Sequence, residues 1–310
     1  MTLKFIQILA LSVIAITAPA ATLTVVVPNP PGGITDAFGR SIARYLTQAL
    51  NRDVVVVNKG GADGRIAADY VISQAPSNPH VLVAASGTML FPSVLSKVVV
   101  NDYTRFDHMV PMVRVPTMFA VSTALNVTTW DQFLRVARGR ALNCAAGAAS
   151  SEFFGQYVMK QFNIAQAQFV KFRGSGDMAP QLIAGNIDCA FDTQLVLLPL
   201  HRDQRVRVLA VASVNRQPDL SSMVMFSDLV PGLSFSSWAG ISVAKNFVPE
   251  DRERLWSALR LAHRDSQHRA TMTALGVEII DEPTTQANWL HNEYQRYETM
   301  RQHIGLPRTD

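Results

Sequence analysis

The chain has 310 residues, of which 48% are hydrophobic and only 17% are charged, so it can bury a large core. This composition excludes a disordered chain, a collagen, a coiled coil and a small disulfide scaffold. The net charge of +4 is small and the Lys and Arg residues are scattered, which gives no support to nucleic-acid binding. The length indicates about two domains.

The N-terminal segment has the order of a secretory signal peptide. Met1–Lys4 contains one positive charge, Phe5–Ile16 is apolar, and Ala18-Pro19-Ala20 is a small-residue cleavage motif. We therefore expect residues 1–20 to be a signal peptide that is cleaved after Ala20. The alternatives are a buried N-terminal helix and an uncleaved anchor, but the apolar run is shorter than a bilayer span requires.

Export would place the two cysteines, Cys144 and Cys189, in an oxidising compartment. Both are expected in strands of the same half of the chain. A disulfide and a pair of buried thiols that pack as small apolar groups are both compatible with the sequence.

Strands and helices alternate in the first part of the chain. Strands are predicted at Leu23–Val27, Val54–Val57 and Val81–Ala85. After the first strand, a loop rich in Pro and Gly precedes a helix with apolar residues at helical spacing over Phe38–Ala49 and Thr35 as its N-cap. A second helix is predicted at Arg65–Gln74.

The same alternation returns after Met109–Trp130, a segment that we interpret as a separator between two blocks. Strands are predicted at Ala141–Ala145, Gln168–Phe172, Cys189–Phe191 and Val206–Ala212. Helices are expected after the first two of these strands, and Pro249–His303 is expected to be mostly helical. The pattern predicts an α/β fold with mostly parallel sheets.

Small or polar residues follow nearly every predicted strand. These strand ends carry Gly32-Gly33, Gly61-Ala62, Ser86-Gly87-Thr88, Gly147, Gly174-Ser175 and Asp192. Ligands of open parallel sheets bind beyond the carboxyl ends of the strands, and loops that run into helices present unsatisfied N–H groups. Any one loop could simply turn the chain. Their recurrence favours a site that holds a small anion through backbone amides.

Motifs for covalent catalysis are missing from the sequence. It contains no HExxH, GxSxG or Walker A motif, and two Cys cannot form a structural zinc site unaided. Gly174–Ala179 fits the GxGxxA dinucleotide pattern formally, with Asp192 downstream. We interpret it as a tight turn facing a cleft, because the unit is not the first of its block and an exported protein has little dinucleotide to bind. We expect no enzyme activity, no cofactor and no metal.

Several segments occur in the order found in a known family. They are Val27–Asp36 with Arg40, Val57–Gly64, Val170–Ser175, Gly185–Asp188 with Phe191-Asp192, and Ser237–Gly240. Together they resemble the Bug family, the periplasmic receptors of tripartite tricarboxylate transporters. The PPGGxxD opening and the NxxGA loop are the more specific parts, and the resemblance extends from about Leu23 to the C-terminus.

The resemblance implies a two-lobed, type II periplasmic-binding-protein fold with a hinged cleft between the lobes. Domain 1 is expected to comprise residues 21–122 plus 238–310, and domain 2 residues 123–237. The implied function is capture of a small mono-, di- or tricarboxylate for delivery to integral-membrane transporter subunits. The alternative is that the same receptor presents its ligand, a carboxylate or an amino acid, to a sensor kinase. We expect a periplasmic monomer.

The predicted ligand-binding residues come from both domains. By resemblance, the carboxylate is held by the loops Pro30–Thr35 and Asn58–Gly64, largely through backbone amides and bridging waters. The second domain is expected to contribute the Gly147–Ser151 loop, the Gly174 turn and Asp192. The complete predicted set is Pro31, Gly32, Gly33, Thr35, Asp36, Asn58, Gly61, Ala62, Asp63, Ser86, Thr88, Gly147, Ser150, Gly174, Ser175 and Asp192.

The sequence also departs from the family pattern. Asp63 stands where Gly is usual, Arg65 stands where Asn is usual, and Ala148-Ala149 replaces more polar residues. A buried and unpaired carboxylate at Asp63 would repel an anionic ligand by several kcal/mol. Three outcomes are open for Asp63: it points to solvent, it pairs with Arg65, or it recognises a ligand amino group.

Overall fold

A computed structural model describes residues 21–75, 77–97, 102–216, 220, 223–281 and 287–309. The predicted signal peptide, residues 1–20, lies outside these described residues. The strands are β1 (Leu23–Val27), β2 (Val54–Asn58), β3 (His80–Ala85), β4 (Phe106–Ser122), β5 (Leu142–Ala146), β6 (Ala167–Val170), β7 (Cys189–Thr193), β8 (Val206–Val211), β9 (Val224–Met225), β10 (Ser236–Ala244) and β11 (Glu278–Ile279). The helices are α1 (Ile34–Leu50), α2 (Arg65–Gln74), α3 (Ser86–Met89), α4 (Phe91–Leu95), α5 (Trp130–Gly139), α6 (Ala149–Gln161), α7 (Ser175–Ala184), α8 (Gln194–Arg202), α9 (Phe226–Leu229), α10 (Pro249–Leu261), α11 (Ser266–Ala274) and α12 (Ala287–Ile304).

The strands are hydrogen-bonded in the order β2-β1-β3-β10-β4-β7-β5-β6. At one end β2, β1 and β3 are parallel, and at the other end β7, β5 and β6 are parallel. Two antiparallel strands, β10 and β4, connect these groups. Two α/β lobes therefore share a pair of central strands.

Strand β4 passes from one lobe to the other. It pairs with β10 as far as Pro116 and with β7 and β8 from Thr117 onward. The segment Met109–Trp130 lies between the two blocks, as predicted, but most of this 17-residue strand, which was not predicted, lies within it. Pro111 and Pro116 explain why the sequence did not predict strand β4, since proline is rare within central strands.

Helix α1 shows how the apolar pattern places the first lobe around its sheet. Phe38, Ile42 and Leu46 recur every four residues, are fully buried, and pack in one core cluster with Val25 and Val27 of β1. Burial of each such side chain stabilises the fold by roughly 1.5–3 kcal/mol. The helix begins at Ile34 with Gly33 as N-cap, so the predicted cap at Thr35 was wrong by two positions.

In the second lobe the two cysteines are neighbours across parallel strands. Cys144 of β5 lies opposite Cys189 of β7, with a Cα–Cα distance of 4.5 Å, and the two form a disulfide. Of the two alternatives that the sequence left open, the structure has the disulfide. The same register places Gly147 and Asp192 side by side at the carboxyl ends of these strands.

Candidate functional site

A cavity of about 770 Å³ lies where the two lobes face each other. Its volume falls within the range of roughly 300–1,000 Å³ that is typical of small-molecule sites. The lining residues are Pro28, Asn29, Pro30, Gly33, Ile34, Thr35, Gly61, Ala62, Asp63, Gly64, Ala85, Ser86, Gly87, Thr88, Val113, Val115, Ser175, Thr193, Leu195, Val196, Ser237, Trp238 and Ala239. Both lobes contribute to this set.

The start of helix α1 forms one wall of the cavity. Gly33 is the N-cap and provides no side-chain cap, and the Ala37 amide donates to the Gly33 carbonyl at 2.9 Å. The N–H groups of the first helical turn that precede Ala37 have no intrahelical acceptor. They carry the partial positive charge of a helix N-terminus, which favours an anion at this wall.

Asp36 and Asn58 hold this loop in place from outside the cavity lining. The Asp36 carboxylate accepts hydrogen bonds from the Gly32 amide at 3.0 Å, from Arg40 Nε at 2.9 Å and from Asn58 Nδ2 at 2.9 Å. Asn58 Nδ2 also donates to the Asn29 carbonyl. Burial raises the pKa of Asp36, but the hydrogen bonds outweigh it and lower the pKa to about 2. This network joins the loops that follow β1 and β2.

The second wall is the tight turn that leads into α2. Ala62 and Asp63 both adopt left-handed backbone conformations, with φ of 45° and 51°. The Gly64 amide donates to the Gly61 carbonyl at 3.1 Å. Asp63 is exposed and lines the cavity, whereas Arg65 forms an ion pair with Asp69 at 3.7 Å.

The floor of the cavity is a patch of the shared sheet. Ala239 of β10 lies between Ala85 of β3 and Val113 of β4, and Ser237 lies opposite Val115 in the next row. Because alternate residues of a strand share one face, these side chains form a continuous and mostly apolar surface. Above it, the Trp238 amide donates to Ser86 Oγ at 3.4 Å.

The second lobe presents Ser175, Thr193, Leu195 and Val196 to the cavity. Ser175 begins α7, and Thr193 is the N-cap of α8; neither helix has a side-chain cap. Outside the cavity lining, α5 and α11 have N-caps with hydrogen-bonding side chains, whereas α6 and α10 have none. The helix starts at the cavity therefore keep backbone amides that a ligand can use.

Behind this wall, four of the predicted residues are clustered. A methyl group on Gly147 would overlap the Asp192 carboxylate and the Ser175 hydroxyl, and Gly174 lies next to the Gly147 carbonyl. Asp192 is 2% exposed, and the Thr193 amide donates to its Oδ1 at 2.7 Å. Burial raises the pKa of Asp192 and outweighs the opposing effect of the neighbouring hydroxyl and amide groups.

Half of the predicted site residues line the cavity: Gly33, Thr35, Gly61, Ala62, Asp63, Ser86, Thr88 and Ser175. The others lie outside the lining: Pro31, Gly32, Asp36, Asn58, Gly147, Ser150, Gly174 and Asp192. Sequence reasoning missed the apolar floor and the start of α8. The one signal for the floor was the Ser237–Gly240 segment, which carried family resemblance but no predicted role.

Charge is nearly absent from this surface. Among the described residues that line the cavity, Asp63 is the one with a charged side chain. Within the described ranges, no cluster of His, Cys, Asp and Glu could hold a metal ion. None of the helices in the same ranges is long and apolar enough to span a membrane.

Two α/β lobes that share central strands and enclose an amide-lined cavity define the class of periplasmic solute-binding proteins. The family profile described as "Tripartite tricarboxylate transporter family receptor" (TctC) matches residues 38–306, so the chain belongs to this family. Protein BugT of Bordetella pertussis is 24% identical over 93% of this chain and 91% of its own. The predicted family is therefore confirmed.

Solved structures confirm the predicted two-lobed fold. The R. palustris protein Rpa4515, solved with adipate, has a TM-score of 0.77 and 24% identity, and the match covers 93% of this chain and 98% of that one. MatC from Rhodopseudomonas palustris, with bound malate, has a TM-score of 0.72 and 22% identity, covering 91% of this chain and 99% of its own.

Proposed function

We propose that this protein is an exported receptor that captures a small organic carboxylate between its lobes and delivers it to the membrane subunits of a tripartite tricarboxylate-type transporter. The observation that carries the proposal is the cavity itself, where uncapped helix starts from both lobes meet. Binding is the whole of its activity, so no chemical conversion of the ligand is required.

The chemistry of the cavity suits a carboxylate. The first-turn amides of α1 can donate to its oxygens, and such charge-assisted hydrogen bonds are roughly twice as strong as neutral ones. The hydroxyls of Thr35, Ser86 and Thr88 lie on the same lining. A carboxylate held by neutral donors can be released when the lobes open, because no opposite charge has to be separated.

Movement of the lobes would complete the site and later release the ligand. We place the first domain at residues 21–122 plus 238–310 and the second at 123–237, so that the chain passes between them at the end of β4 and near the start of β10. Ser175 and Thr193 face the cavity from the second lobe. Closure of a hinged cleft around a ligand is a common two-state device in binding proteins.

The relatives support the same ligand class. Adipate and malate are the molecules named with the two R. palustris proteins, and both are carboxylates. The signal-peptide pattern of residues 1–20, which would direct the chain to the periplasm, fits the location of this receptor family.

Isothermal titration calorimetry of residues 21–310, refolded to remove any bound ligand, tests the proposal. The panel comprises mono-, di- and tricarboxylates and amino acids. We expect at least one carboxylate to bind with a Kd of about 1 µM, or −8 kcal/mol. Absence of heat with every member would refute the proposed function.

A matched pair of variants at Ile34 tests the role of the amides. Proline is tolerated at the first position of a helix, and Gly33 already has the extended conformation that suits a residue before proline. Ile34→Pro removes both the side chain and one N–H group, whereas Ile34→Ala removes the side chain alone. Loss of one hydrogen bond to a charged group costs about 1.5–3 kcal/mol, so Ile34→Pro should bind at least tenfold more weakly than Ile34→Ala.

A further inference from the structure

We propose that Asp63 makes this cleft select a monocarboxylate with an apolar body over a dicarboxylate. The inference rests on the proposed function and specifies the class of carboxylate that the receptor takes. It follows from the placement of one negative charge opposite a set of neutral donors, on a surface that is otherwise largely apolar.

Among its described lining residues, the cavity has one acidic side chain and no basic one. The first carboxylate of a ligand can be held by the amides at the start of α1. A second one could meet amides at the starts of α7 and α8, but no cationic side chain among the described lining residues would offset the charge of Asp63. Asp63 is exposed and places an acidic side chain on this lining. In a site partly open to water, repulsion between like charges near contact distance weakens binding about tenfold.

The remaining walls suit an apolar ligand body. Val113 and Val115 are buried in the floor, with 1% and 2% of their surface exposed, and Leu195 and Val196 face them from the second lobe. Transfer of each CH₂ group of a ligand from water to such a surface is favourable by a factor of about 4. An alkyl or aryl group on the ligand would therefore raise its affinity, whereas a second carboxylate in the same place would lower it.

The backbone keeps Asp63 close to the cavity. The Lys59 amide donates to the Val27 carbonyl at 2.8 Å, and the Gly64 amide closes the turn to Gly61 at 3.1 Å. Asp63 itself has φ 51° and ψ 36°, a left-handed conformation that Asp tolerates better than most residues. Because both ends of the turn are held, the backbone of Asp63 is kept at the cavity wall.

The experiment compares three ligand series of equal chain length at pH 8, with four, six and eight carbons: fatty monocarboxylates, α,ω-dicarboxylates and ω-amino carboxylates. Affinities are measured by calorimetry for the refolded wild type, for Asp63→Asn and for Asp69→Asn. Asp69 is a matched control, because it is an exposed carboxylate on α2 that pairs with Arg65 and lies outside the cavity lining.

We expect the wild type and Asp69→Asn to bind the best monocarboxylate at least tenfold more tightly than the dicarboxylate of equal length, with the ω-amino carboxylate at least equal to the monocarboxylate. Asp63→Asn should remove most of this preference. Asp63→Gly, which suits the left-handed backbone, should do the same, and thermal melts check that both variants are folded.

Three results would overturn the inference and leave the proposed function intact. One is equal binding of mono- and dicarboxylates by the wild type, and another is a preference that survives in a folded Asp63→Asn. The third is binding of other carboxylates without any monocarboxylate. If no carboxylate of any class binds, the proposed function itself fails.

Discussion

Substitution of Asp36 by Asn tests whether the loops at the cleft are held by a buried carboxylate. Oδ2 of Asp36 accepts from both the Gly32 amide and Arg40, while Oδ1 accepts from Asn58. Both oxygens of Asp36 therefore face hydrogen-bond donors. An Asn at position 36 has one oxygen and one NH₂ group, so in either orientation of its amide the NH₂ group faces a donor. At least one hydrogen bond of the network is then lost.

The size of the effect follows from the pKa of Asp36, which is about 2 in the folded protein and 3.8 as the ordinary value. This difference corresponds to roughly 2 kcal/mol of stability at neutral pH. The side chain of Asp36 is 6% exposed, but that of its partner Arg40 is 53% exposed, so screening by solvent reduces the figure to about 1–2 kcal/mol.

The lowered pKa of Asp36 also predicts how the free energy of unfolding depends on pH. A carboxyl group with a lowered folded-state pKa stabilises the protein above its unfolded pKa, and this contribution is lost as the pH falls through the folded-state value. Urea unfolding should therefore show Asp36→Asn to be less stable than wild type at pH 7. The difference should shrink as the pH falls from about 4 to about 2.

Asp177→Asn is the matched control, because Asp177 forms the same type of i,i+4 pair with Arg173 but both side chains are exposed. It should change the free energy of unfolding by less than about 0.5 kcal/mol. In Asp36→Asn the affinity for the carboxylate should also fall, about threefold to tenfold, since the amide-bearing loop is less constrained. Equal stability of Asp36→Asn and wild type at pH 7, or a difference that does not change between pH 4 and pH 2, would refute the reasoning.

Two further predictions concern the second lobe. Gly147→Ala should lower the ligand affinity or the folding equilibrium constant by at least tenfold, because the added methyl group overlaps its neighbours. Gly176→Ala should change neither, because a Cβ there meets nothing within 4 Å. Equal binding and equal melting curves for the two variants would contradict this prediction. The disulfide of Cys144 and Cys189, 45 residues apart, should contribute about 4 kcal/mol, measured as the loss of unfolding free energy in the double Ala variant. Two thiols that react with Ellman's reagent in the unreduced, unfolded wild type would show that the bond does not form in solution.

Local chemistry made much of the fold predictable. Leu23–Val27 and Arg65–Gln74 have the predicted bounds, because a β-branched run that ends at Pro28 and a helix that starts after Gly64 are marked by neighbouring residues. Strand β4 was missed because its two prolines mimic a break, and its pairing partners lie far away in the chain. The cost of placing a proline in a central strand is offset by tertiary contacts that a single sequence does not display.

The same distinction explains the division within the site. Amides at the ends of β1 and β2 are specified by adjacent Pro and Gly residues, so Gly33, Thr35 and the turn at Gly61 could be assigned to a site from the sequence. The apolar floor depends instead on the register of β10 against β4, which shifts at the irregularity between Ala239 and Ile241. Such a register is fixed by contacts between remote segments, and a buried strand that is apolar on both faces gives no sign of which face a ligand touches. The amide-bearing loops of this cleft are therefore predictable from neighbouring residues. The apolar surface, on which the ligand preference depends, forms only when remote segments of the chain pair and the two lobes fold.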